Sequence, residues 1–187
     1  MMLKLFRKVG EPPHQTAMAM IGARPGDNVL FCGASRPDLA GAVGAITGLN
    51  GQTTVVDRRD DGAARVEAGA AEAGALVDFE DAPLTLLPFD AGRFDAAVIP
   101  DGLSALGDNA GPALAEAVRV IRPGGRLVIV DPVGRPGVFG LLRKPATPPP
   151  PADSITTTLT GAGLRGVRLL ADVEGVRYFE GTKPYPG

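Results

Sequence analysis

Apolar residues fall in short blocks along this chain, and the blocks alternate between two spacings. Asn28-Val-Leu-Phe-Cys32, Thr53-Thr-Val-Val-Asp57 and Phe94-Asp-Ala-Ala-Val-Ile99 are runs of five or six residues rich in aliphatic and aromatic side chains. Runs of that length bounded by turn residues fit strands buried on both faces. Between them, apolar side chains recur every three or four residues, as Leu39, Val43 and Ile46, and again as Leu114, Val118 and Ile121. That is the spacing of a helix with one core-facing stripe. The pattern predicts helices over 14–23, 37–47, 59–72, 112–121 and 154–162. It predicts strands over 28–32, 53–57, 75–79, 94–99, 126–131, 167–171 and 176–182.

Turn residues punctuate these elements. Arg24-Pro-Gly-Asp27 delivers the first strand, Leu49-Asn-Gly51 ends the second helix, and Arg122-Pro-Gly-Gly125 turns into the fifth strand. Short strands alternating with helices of ten or more residues imply βαβ units and a parallel sheet covered on both faces. The last two strands flank Asp172-Val-Glu-Gly175, which reads as a hairpin. The segment 132–152 breaks the rhythm: Pro145-Ala-Thr-Pro-Pro-Pro-Pro151 favours extended polyproline geometry and reads as a lid or a stiff spacer. No internal repeat is present.

Composition narrows the class. With 187 residues, the chain reads as one domain over 1–187, and 1–23 form an N-terminal segment. The 44% apolar and 21% charged residues are those of a globular chain, and a net charge of −2 argues against nucleic acid as a partner. No run reaches the roughly 20 apolar residues of a membrane span, so no integral membrane association is expected. The basic start Met1-Met-Leu-Lys-Leu-Phe-Arg-Lys8 allows at most a weak peripheral membrane contact. The single cysteine, Cys32, excludes a disulfide within the chain, suits a core position better than a reactive thiol, and fits a cytoplasmic location. Oligomeric state stays open, with Val138-Phe-Gly-Leu-Leu142 as one apolar stretch for a dimer contact.

Chemistry-bearing residues gather at the ends of the strands. After the first strand comes Gly33-Ala-Ser-Arg-Pro37, a strand–turn–helix junction of the kind that offers backbone N–H groups to an anionic ligand. Asp57 ends the second strand, placed to accept two ribose hydroxyls. The alternative is a solvated carboxylate turned towards Arg58 or Arg59. No His/Cys/Asp cluster has metal-ligand spacing, and no Gly-x-Ser-x-Gly elbow exists. The lone His14, after Pro12-Pro13, reads as a helix lead-in rather than a catalytic base.

The four segments 28–37, 53–57, 88–99 and 117–132, in this order, resemble class I S-adenosylmethionine (SAM)-dependent methyltransferases of the small-molecule, quinone C-methyltransferase type. The resemblance implies an α/β fold, a doubly wound, Rossmann-like mixed seven-stranded sheet with a terminal antiparallel β-hairpin. It implies SAM as cofactor and a small, apolar or aromatic acceptor. Carried over residue by residue, it points to Gly33, Ala34, Ser35 and Arg36 at the methionine end and to Asp57 with Arg58 at the ribose. It points to Asp81 with Ala82 near the adenine after the third strand, with Asp78 as the alternative register. Pro100 lies between cofactor and acceptor, and Asp101 is the residue for the substrate.

The glycine motif departs from the family. Phe31 stands where an acid is expected, and Ser35 and Pro37 replace the second and third glycines. Pro37 has no N–H to offer, and Arg36 adds a long cationic side chain that suits a carboxylate. The same residues also read as a ligand-free helix start, through a Ser35-x-x-Asp38 capping box or through Pro37 at the first helical position. Two functions are therefore open: SAM-dependent methyl transfer, and a catalytically silent methyltransferase-like binding or scaffold module.

Overall fold

A computed structural model of the chain describes residues 14–133 and 150–187. The lid or spacer at 134–149, the peripheral-membrane foot and the apolar stretch 138–142 lie outside the described residues. The elements in chain order are α1 (Gln15–Ile21), β1 (Asn28–Cys32), α2 (Pro37–Thr47), β2 (Gln52–Asp57), α3 (Gly62–Ala73), β3 (Asp78–Asp81) and β4 (Phe94–Ile99). There follow α4 (Ala110–Val120), β5 (Ile121–Pro132), α5 (Ala152–Gly161), β6 (Arg165–Val173) and β7 (Val176–Thr182). The seven strands form one sheet in the order β3-β2-β1-β4-β5-β7-β6, in which β7 runs antiparallel to both of its neighbours and the rest are parallel. The expected mixed sheet with a terminal antiparallel hairpin is what the chain forms.

The sheet separates two cores because alternate residues of each strand face opposite sides. Leu30 and Cys32 face one side, with Leu127, Ile129, Leu114 and Ala117 of α4, and Ile155 and Leu159 of α5. Val29 and Phe31 face the other, with Val128, Ile21 of α1, Leu39 and Val43 of α2, and Val66 of α3. Val29, Leu30, Val55, Val56, Val98, Leu127 and Ile129 are all fully buried, as expected for the sheet's centre. Both edge strands are charged and largely exposed, which blunts unwanted pairing.

Several boundaries differ from the sequence reading, each for a local reason. The third strand is not 75–79 but Asp78–Asp81. Gly74, at φ +63°, caps α3, and the Ala75 N–H returns to Ala70 O at 2.9 Å, so Ala75 still belongs to the helix end. Helix α3 starts three residues later than expected, at Gly62, because Arg58 and Arg59 lie against Asp57 instead. The hairpin turn shrinks to Glu174-Gly175, both at positive φ, which is the two-residue turn that matches strand twist. Arg122-Pro-Gly-Gly125 bulges out of β5, whose pairing to β4 jumps from Ile121 opposite Phe94 to Arg126 opposite Ala96.

Loop positions near the sheet are fixed by charged groups. Glu116 and Arg119 of α4 hold the loop between β3 and β4. Glu116 accepts the Leu87 N–H at 2.8 Å, while Arg119 donates to Leu87 O at 3.0 Å and to Phe89 O at 2.8 Å. Pro88-Phe89 is therefore a stapled loop that the α4 network positions.

Candidate functional site

The carboxyl ends of β3, β2, β1 and β4 lie side by side, and the sequence-derived site residues lie along that edge. Gly33–Arg36 follow β1, Asp57 and Arg58 close β2, Asp81 ends β3 with Ala82 next to it, and Pro100 and Asp101 leave β4. Asp81 is the last strand residue rather than a post-strand one, in register with Asp57. Asp78, the alternative register, begins β3 at the other end of the strand from Asp81 and takes the Gln52 side-chain amide at 2.5 Å.

Asp57 ties two of these ends together. Its Oδ2 accepts the Ala34 N–H at 2.7 Å, and the Gly33 N–H reaches Val56 O at 2.8 Å, so the loop after β1 is drawn against the end of β2. Gly33 sits at φ +121°, a conformation that favours glycine, and a Cβ there would lie 3.7 Å from the Pro100 ring. The loop thus bridges β2 and β4. The remaining donors to Asp57 are Arg59 Nε at 3.0 Å to Oδ2, and the Arg58 and Arg59 N–H groups at 2.8 and 3.3 Å to Oδ1. Asp57 stands at the carboxyl end of β2, where the ribose contact is expected, and it pairs with Arg59. Partial burial pushes its pKa up, but the Ala34 N–H, the Arg59 guanidinium and the Arg58 N–H outweigh that and leave it below the usual carboxylate value.

The helix start settles one alternative and leaves a group unused. Pro37 is the first residue of α2, with Arg36 before it and no side-chain cap. The Ser35-x-x-Asp38 box does not form. The Ser35 hydroxyl is buried and has no hydrogen-bond partner among the described residues. Such a group costs roughly 1–3 kcal/mol, which a polar ligand at the loop would relieve. Beside it, Phe31 is fully buried in the core on the α1–α2 face. The acid expected at this position is thus replaced by a core aromatic ring.

Two arrangements were not legible in the sequence. His14, which does lead into α1, also puts Nδ1 3.2 Å from Arg36 Nη2 and Nε2 2.7 Å from Asp38 Oδ2. Where β4 and β5 end, Asp131 and Arg177 form a buried ion pair in which Arg177 Nε and Nη2 both donate to Oδ2, at 3.0 and 2.5 Å. Gly102 packs directly on the Asp131 carboxylate, so a side chain at 102 would collide with it. The thiol of Cys32 is pushed up to about 12 by burial, as a core cysteine requires. No group of three or more potential metal ligands occurs among the described residues, and no helix of the described residues is long and apolar enough to cross a membrane.

The residues fit SAM in outline. A glycine-led loop with an unused buried hydroxyl, an arginine and a strand-end carboxylate lie together at the carboxyl edge of the sheet, the place where open α/β sheets bind ligands. They depart from the family pattern at Phe31, which stands where an acid is expected.

Comparisons with known proteins agree. Residues 33–129 match a methyltransferase domain family. A ubiquinone/menaquinone biosynthesis C-methyltransferase of Teredinibacter turnerae is 33% identical over 112 residues, covering 59% of this chain and 45% of that protein. A demethylmenaquinone methyltransferase of Beutenbergia cavernae is 37% identical over 122 residues, covering 59% of this chain and 43% of that protein. The chain thus spans less than half the length of these relatives. Among solved structures, a SAM-dependent methyltransferase from Aquifex aeolicus superposes with a TM-score of 0.67 at 18% identity, over 90% of this chain and 87% of that one. With the family match over more than half the chain, the mixed sheet with its antiparallel β7 and the loop–carboxylate crevice, this chain belongs to the class I SAM-dependent methyltransferase family.

Proposed function

We propose that the chain binds SAM where β1 and β2 end and transfers its methyl group to a small, apolar or aromatic acceptor. The observation that carries this reading is the loop after β1, which is held to Asp57 through Ala34 while the Ser35 hydroxyl stays buried and unpartnered. In this reading Gly33, Ala34, Ser35 and Arg36 hold the amino-acid end, and Asp57 with Arg58 takes the ribose once Arg59 swings aside. Asp81 and Ala82 flank the adenine, Pro100 separates cofactor from acceptor, and Asp101 contacts the acceptor.

SAM supplies a methyl group already activated on a sulfonium, so the protein's task is alignment and exclusion of water. The names of the two quinone-pathway relatives support an apolar, aromatic acceptor, and a cytosolic setting belongs to the same proposal. Calorimetric titration with SAM and with S-adenosylhomocysteine tests it, with micromolar binding of both expected. No binding of either at millimolar concentration would overturn it.

A second reading, a silent binding module, is favoured by Phe31 in place of an acid and by an Asp57 whose oxygens are already taken by four donors. It predicts no SAM binding in the same titration.

A further inference from the structure

His14 meets Arg36 and Asp38, the two residues that flank Pro37 where the loop after β1 runs into α2. His14 is the residue before α1, Arg36 ends the loop after β1, and Asp38 is the second residue of α2. Arg36 Nη2 lies 3.2 Å from His14 Nδ1, and His14 Nε2 lies 2.7 Å from Asp38 Oδ2. A guanidinium only donates and an ionised carboxylate only accepts, so the two partners assign the imidazole its tautomer: the proton is on Nε2, and Nδ1 accepts from Arg36. The ring is largely buried, with 15% of its side chain exposed. The backbone of His14 is held at φ +84°, an uncommon conformation for a residue other than glycine. A strained residue clamped between an arginine and a carboxylate is costly to keep for a helix lead-in alone, since His14 makes no side-chain cap to α1.

The same loop runs into a position without a backbone donor. Pro37 carries no N–H at the start of α2, and Arg36 is the cation next to that gap. A guanidinium replaces a backbone N–H well only when it is held in one orientation, because an unrestrained arginine loses much rotamer freedom on binding. His14 uses one of its five N–H donors and fixes the plane of the fork. Asp38 fixes His14 in turn.

We infer that Arg36 is the specificity determinant for the carboxylate at the amino-acid end of the cofactor, and that His14, oriented by Asp38, is its positioning residue. The inference rests on the SAM-binding reading above. It adds the means by which a loop with serine and proline in place of glycines still recognises an amino acid.

The test compares two probes by calorimetry on the intact chain: S-adenosylhomocysteine, and 5′-methylthioadenosine, which lacks the carboxylate. Arg36→Met should weaken the first by about tenfold or more and leave the second within about twofold. His14→Leu should act in the same direction, by about three- to tenfold, and the double variant should lose no more than Arg36→Met alone. His14→Asn keeps an acceptor where Nδ1 lies and tolerates positive φ, so it should restore binding of S-adenosylhomocysteine to within about twofold of wild type. A merely structural role would lower both probes together and would not be rescued by Asn. Equal loss of both probes in Arg36→Met, or unchanged S-adenosylhomocysteine binding in His14→Leu, overturns the assignment while leaving the cofactor reading intact. Wild type that binds neither probe overturns the cofactor reading, and this assignment falls with it.

Discussion

Asp57 shows how one side chain serves both the fold and the site. Its carboxylate accepts from the Ala34 N–H and from Arg58 and Arg59, and only 15% of the side chain is exposed. Asp57→Asn keeps the shape but turns an N–H2 towards donors, so a loss of about 1–3 kcal/mol of stability at neutral pH is expected in denaturant melts. The pH dependence has a defined sign. The folded pKa is lowered from 3.8, so the contribution of Asp57 is complete above that ordinary value and is lost as pH falls towards and through the folded one. Wild type should therefore lose stability below about pH 4 more steeply than Asp57→Asn, and equal acid slopes would refute the account. The place of Asp57 at the end of β2 was legible, because it closes an unbroken apolar run. The sequence left its partner open between Arg58 and Arg59, which are equivalent neighbours, and only the delayed start of α3 decides which guanidinium folds back.

At the scale of elements, α2 and α3 flank the crevice and approach through glycine. A Cβ at Gly41 would strike the backbone carbonyl of Gly69, and a Cβ at Gly69 would strike that of Pro37. Two effects compete in Gly69→Ala. Helix propensity favours alanine by about 1 kcal/mol. Overpacking against backbone, which cannot rotate away, costs about 1–3 kcal/mol. The clash should win, and thermal unfolding should show a lowered midpoint. Gly111 in α4 meets nothing within 4 Å, so Gly111→Ala should be neutral or stabilising by up to about 1 kcal/mol. A rise in both variants would mean that the helices are not in close contact. The strands at the sheet's centre were legible because burial on both faces forces unbroken apolar runs, as in Asn28–Cys32 and Phe94–Ile99. The edge strand β3 was misplaced because Ala75-Leu-Val77 is more strand-like than Asp78-Phe-Glu-Asp81, and pairing to β2 overrides that preference.

For the whole molecule, the decisive question is how stability and ligand affinity trade at Pro37. The ring pre-sets φ at the first turn of α2 and lowers the entropy of the unfolded chain, so Pro37→Gly should cost about 1 kcal/mol or more. In a chain of this size that lowers the ligand-free melting temperature by roughly 2–4 °C. The same change returns an N–H to the helix start beside Arg36, where it faces no steric penalty from a Cβ. A ligand that binds only the folded state at 100 times its dissociation constant adds about 2.7 kcal/mol, a rise of roughly 5–11 °C here. Pro37→Gly should therefore melt earlier than wild type without ligand, yet gain more from saturating S-adenosylhomocysteine at equal concentration. The two shifts have opposite signs, so a general loosening of the fold cannot imitate them. If Pro37→Gly melts earlier and responds to S-adenosylhomocysteine less than wild type does, the missing N–H is not what limits the loop. The recognition of the amino-acid end then rests on Arg36 and the residues that hold it.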